Sequence, residues 1–158
     1  MISPKLNDIK KELNFLSDEQ MKLLIHRLSK YKKENKELLS YLIFEAHNEH
    51  AFILRVKQEV DEQFEQLTAS NLYLVKKVLR KILRNVNKYI RFSGIKPTET
   101  ELLLYFASKM KNAGYTNTKN VMLNNLFYQH CKKIEKSIAG LHEDLQYDYR
   151  KEFDSIVN

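Results

Sequence analysis

The apolar residues of this chain recur every three or four positions almost from end to end, and little interrupts them: 158 residues hold three Gly and two Pro. Positions three and four apart share one face of a helix, whereas a half-buried strand alternates every second residue. So few turn formers leave little room for hairpins and restrict the chain to long helices with short links. The pattern predicts an all-α fold of seven to eight helices in a single domain, 1–158. Two architectures satisfy it: a compact helical bundle and a short α-solenoid of stacked helix pairs. A hydrophobic content of 43% is enough for a real core at this length.

Local signals place the helix boundaries. Ser3-Pro4 predicts a first short helix with Pro in its opening turn and Leu6, Ile9 and Leu13 on one face. Ser17, with Gln20 three residues on, is a capping box for a second helix striped by Met21, Leu24, Ile25 and Leu28. A third, about 34–46, is apolar over much of its circumference, which predicts a central position. A fourth covers about 49–67, with His47-Asn48 as the expected joint. Ser70 is the expected cap of a fifth helix and Ser93-Gly94 its stop. Thr98 and Glu101 form another capping box after Pro97, opening a helix that ends at Gly114. The next starts near Asn117 or Thr118 and ends at Gly140, and a last runs over about 142–157.

The fifth helix is the unusual one. Residues 71–92 read NLYLVKKVLRKILRNVNKYIRF, with seven Lys or Arg and no acid, and no acid stands between Glu65 and Glu99. Net charge is +7; the eight basic residues of 66–98 account for all of the excess, since the remaining Lys and Arg balance the 20 acids to within one charge. On a wheel of ~100° per residue, Lys76, Lys77, Arg80, Lys81, Arg84, Lys88 and Arg91 occupy roughly 40° to 180°, and the Leu, Ile and Val residues occupy the rest. Such a helix is ~33 Å long, with an apolar back and a cationic front.

Three readings compete for that front. A row of cations at helical spacing can track the phosphates of a nucleic acid. Tyr73 and Asn87 share the arc, so one aromatic platform is available and sequence specificity is expected to be low. An acidic protein would suit the same charge. An interfacial membrane helix has the same amphipathic form, but the fold needs that apolar face for its own core. The remaining possibility is internal neutralisation by Asp61, Glu62 and Glu65 or by Glu143, Asp144, Asp148, Glu152 and Asp154.

Catalytic templates are mostly missing. His47 and His50, three apart in FEAHNEHAF, share a face if their helix is continuous, but two histidines make half of a structural zinc site. There is no His-Glu-x-x-His, no Glu-x-x-His and no glycine-rich phosphate loop. Cys131 follows His130 directly, and adjacent helical residues diverge by ~100°, so the imidazole is poorly placed to activate the thiol. The single Cys excludes an intramolecular disulfide. No apolar run is long enough to span a bilayer, and the start of the chain has no signal-peptide core, so a cytoplasmic location is expected.

The opening LNDIKKELNFLSDEQMKLLIHRLSKYKKENKELLSYLIFEAH resembles the start of an uncharacterised family of small all-α bacterial proteins. The similarity extends through NLYLVKKVLRKILRNVNKYIRFSG to LHEDLQYDY. It implies an all-α fold and carries over no activity, cofactor or functional residue. In architecture the chain is also similar to short solenoids of the HEAT or TPR kind, which bind partners on a curved face. Together these features lead us to expect a non-enzymatic binding or adaptor protein without a cofactor, presenting helix 71–92 to a nucleic acid or an acidic protein.

Overall fold

The computed structural model describes residues 4–67 and 71–158. The described residues form eight helices and no strand: α1 (Leu6–Leu13), α2 (Asp18–Tyr31), α3 (Lys33–Phe44), α4 (Glu49–Glu65), α5 (Leu72–Ser93), α6 (Lys96–Asn112), α7 (Val121–Ala139) and α8 (Glu143–Val157). The protein is all-α. Its contacts gather into two compact units, Met1–Phe44 and Glu45–Asn158.

In the first unit the caps set the boundaries. Pro4 precedes α1 instead of sitting in its first turn, because the Asp8 carboxylate accepts the Lys5 N–H at 3.1 Å and makes Lys5 the N-cap; Ser3 lies outside the described residues. Ser17 and Gln20 form the expected capping box, exchanging bonds of 2.9 and 3.2 Å. One extended residue, Lys32, separates α2 from α3, and the Asn35 amide bridges to the Leu28 carbonyl at 2.9 Å. The expected central position of the third helix is overturned. On α3 Tyr41 is buried, but Leu42, Ile43 and Phe44 are exposed. Within this unit and among the described residues α3 packs mainly against α2, which covers one face of an all-round apolar helix.

The second unit is a bundle around α6. This helix touches α4, α5, α7 and α8, the two helices before it and the two after it in the chain. Leu102, Leu103, Leu104, Phe106, Ala107 and Met110 are buried on its several sides. Pro97 falls in the first turn, where the missing N–H costs nothing. The helix therefore starts ahead of Thr98, which is not the expected N-cap: its hydroxyl donates instead to Glu49 at 2.7 Å. Thr100 and Ser137 share a buried hydrogen bond of 2.6 Å, satisfying both hydroxyls inside the core. Ile134, Ile138, Phe153 and Ile156 close the core from α7 and α8.

Other expectations shift by a few residues. His47-Asn48 is the joint before α4, with Asn48 capping Ala51 N–H at 3.1 Å. Asn120 caps α7, later than Asn117 or Thr118, because Thr118 is held in a turn by Asn124 at 3.0 Å. None of these helices is long and apolar enough to cross a membrane, among the described residues.

Candidate functional site

The basic helix ends at Gly94 as expected, and departs from the sequence pattern at its first cap and at two side chains. The expected cap Ser70 lies outside the described residues; Asn71 takes the role, accepting the Tyr73 N–H at 2.9 Å. Gly94 stops the helix in the left-handed region, φ +67°, with its N–H on the Ile90 carbonyl at 2.9 Å. Val75, Leu79, Ile82 and Val86 are buried along the back. Lys77, Arg80, Lys81, Arg84 and Arg91 are exposed along the front, with Tyr73 70% exposed on the same side.

Lys76 does not belong to this front. It is 8% exposed, because its wheel angle of ~40° adjoins the apolar arc and its long stem is drawn into the packing. Lys88 is half-buried, its ammonium 5.0 Å from the Tyr89 ring centre and 6.0 Å from that of Phe92. The ridge is thus narrower than the wheel predicts.

Nearby carboxylates are engaged elsewhere. Asp61 accepts the Tyr105 hydroxyl at 2.7 and 2.8 Å and pairs with Lys109 at 2.9 Å. Glu59 accepts the Tyr89 hydroxyl at 2.8 Å, and Glu101 pairs with Lys57 at 2.6 Å. Burial first, then the adjoining carboxylate, pushes both tyrosines up to about 12, so they remain donors. Arg55 bonds Glu45 at 2.6 Å while lying 5.1 Å over Tyr89. The acids of α8 are no nearer a solution: α8 packs on α6 and α7, and Glu143, Asp144, Asp148 and Asp154 are exposed. Among the described residues no carboxylate lies within ion-pair distance of Lys77, Arg80, Lys81 or Arg84.

Beside the ridge lies an open cleft of about 490 Å³. Arg80, Arg84 and Arg91 line it from α5, over an apolar floor of Leu83 and Ile90. Lys133 of α7 also lines it and donates to Asn87 Oδ1 at 3.2 Å. The one carboxylate of the lining, Glu99 of α6, stands 3.6 Å from Lys96. Neither Lys133 nor the cleft was legible in the sequence. The charge arc of α5 identifies one wall, but no one-dimensional pattern says which lysine of α7 faces it.

The residues considered for other chemistry do not assemble. His47 lies in the joint ahead of α4 and His50 in its first turn, so the continuous helix that would have aligned them is broken; both are exposed. No cluster of three or more His, Cys, Asp or Glu suited to a metal forms among the described residues. Cys131 is half-buried, and burial, then Glu135, pushes its thiol up to about 11. His130 is turned into the core: its Nε2 meets the Leu103 carbonyl at 2.8 Å and its ring packs edge-on to Phe106.

Comparison with known proteins found no match to this chain, whether among family models, curated proteins or solved structures.

Proposed function

We propose that this protein is a non-enzymatic binding module that presents the front of α5 to an anionic partner. The observation that carries the reading is the run Lys77, Arg80, Lys81 and Arg84, exposed over about two turns with no carboxylate in pairing distance among the described residues. Unpaired like charges on a rigid helix concentrate a positive potential that attracts polyanions at long range. Tyr73, exposed at the start of the same face, adds a surface on which one base can stack. Cys131, half-buried and the single thiol, suits the reducing conditions of a cytoplasm.

The test is a titration of labelled DNA and RNA, single- and double-stranded, at several salt concentrations. Binding should weaken with salt, with a log–log slope of roughly −2 to −3 if three or four phosphates are engaged. A Lys77→Glu/Arg80→Glu/Arg84→Glu variant that keeps its helical circular dichroism should lose it. Absence of binding at low salt, to these probes and to polyglutamate alike, would defeat the reading.

A second reading has its own support. In the first unit Leu23, Leu28, Leu42, Ile43 and Phe44 are exposed, and Ile25, Leu28, Leu38 and Leu42 border an open groove of about 330 Å³. An apolar face of this kind belongs to a self-associating scaffold. Charge favours a second copy in reversed orientation: α2 opens with Asp18 and Glu19, whereas its far end and the link to α3 carry Lys30, Lys32, Lys33 and Lys36. Sedimentation should then show a concentration-dependent dimer that Leu42→Glu abolishes; a monomer at every concentration would dismiss it.

A further inference from the structure

We infer that the cleft between the α5 front and Lys133 is a phosphodiester site, and that the anionic partner is a single-stranded nucleic acid passing through it. This rests on the reading of α5 as a docking face and names what docks there. Donors from two helices line the cleft: Arg80 and Arg84, about one turn apart on α5, and Lys133 of α7. Asn87 gives its oxygen to Lys133, and its NH2 group has no partner among the described residues. A phosphodiester carries its charge on two non-bridging oxygens, each an acceptor, so guanidinium donors of α5 and the ammonium of α7 can be met at one group.

The size and floor of the cleft point the same way. At about 490 Å³ it is larger than a phosphate group alone and falls within the range of small-ligand sites. Leu83 and Ile90, both half-buried, offer apolar surface to a sugar edge or an unstacked base. A duplex keeps its bases stacked inside and would leave that floor empty, whereas a single strand can splay a nucleotide onto it. Beyond the cleft, Lys77 and Lys81 continue the cationic track toward Tyr73, as a chain-like anion requires. Glu99, the carboxylate of the lining, is partly offset by Lys96 at 3.6 Å.

Lys133 is the decisive residue, since a partner lying on the α5 ridge alone has no use for it. Lys132 is its control: the neighbouring residue of α7, also exposed, absent from the cleft and poised 4.5 Å from the Tyr128 ring centre. A labelled single-stranded oligonucleotide would be titrated into wild type, Lys133→Ala, Lys132→Ala and the triple charge reversal of α5, with polyglutamate as competitor. Lys133→Ala should weaken binding roughly three- to tenfold and flatten the salt slope by about 0.7, the share of one phosphate contact on a single strand. Lys132→Ala should change neither, and polyglutamate should compete poorly. If Lys133→Ala and Lys132→Ala behave alike while the triple reversal still abolishes binding, the cleft is overturned and the α5 face stands. Equal competition by polyglutamate overturns the phosphate assignment in the same way. If wild type binds neither probe, both readings fall together.

Discussion

Protonation of His130 should cost this protein much of its stability, and the effect can be isolated. A carbonyl oxygen only accepts, so the 2.8 Å contact with Leu103 means that Nε2 carries the proton and Nδ1 is a bare lone pair. Nδ1 is buried and has no partner. Charging the ring would place a cation among Phe106 and the apolar residues of α6 and α7. Burial therefore pulls its pKa down from 6.5 to about 4; the bond to Leu103 opposes the shift and Lys133 adds to it. The unfolded chain takes up this proton near pH 6.5 and the folded chain does not until about pH 4. Stability is thus intact above pH 6.5 and falls as the pH descends toward 4. Each pH unit inside that window costs a little over 1 kcal/mol, so moving from pH 7 to about pH 4.5 removes roughly 2–3 kcal/mol through this residue alone. His130→Gln keeps a donor for Leu103 and removes the titration. Urea denaturation of both proteins at the two pH values gives the comparison. Other carboxyl and histidine groups titrate in both and cancel, and any general loss from repacking appears at both pH values. Wild type should lose roughly 2–3 kcal/mol more than the variant on acidification. Equal losses would refute the buried, neutral His130.

The remaining expectations are simpler. Leu104→Ala removes a fully buried side chain from the central helix and should cost about 2–5 kcal/mol in the same denaturation assay. Gly94→Ala meets no neighbouring atom within 4 Å, so its cost is the left-handed backbone at φ +67°, about 1–2 kcal/mol, read as a fall in melting temperature of a few degrees. With its thiol pushed up to about 11, Cys131 should react with iodoacetamide at pH 8 on the order of a hundredfold more slowly than in the urea-unfolded chain.

The contrast between α3 and α6 shows where the amino-acid sequence speaks and where it stops. LLSYLIF and LLLYFAS are nearly the same hydropathy pattern, and each on its own asks for a central place. The outcome depends on the number of neighbours, which a pattern on one helix cannot count: α6 has four in its unit and α3 has one in its own. Caps were legible at Ser17, Asn48 and Gly94 because the chemistry is local. Thr98 was misread because its hydroxyl is used by Glu49, far away in sequence. The same division holds at the candidate site. Periodicity alone separated the apolar back of α5 from its cationic front, and failed at Lys76, on the boundary between them. The second wall of the cleft comes from α7 and has no trace in the α5 sequence.

The four cations Lys77, Arg80, Lys81 and Arg84, unpaired among the described residues, have an energetic consequence for the protein on its own. Lys77 and Lys81, and Arg80 and Arg84, stand four residues apart, where like charges repel by about 0.2–0.5 kcal/mol per pair. Each repulsion is present in the folded helix and relaxed in the extended chain. The free protein is therefore held below the stability its core would permit, and any anion that settles on this face, simple or polymeric, lifts that restraint.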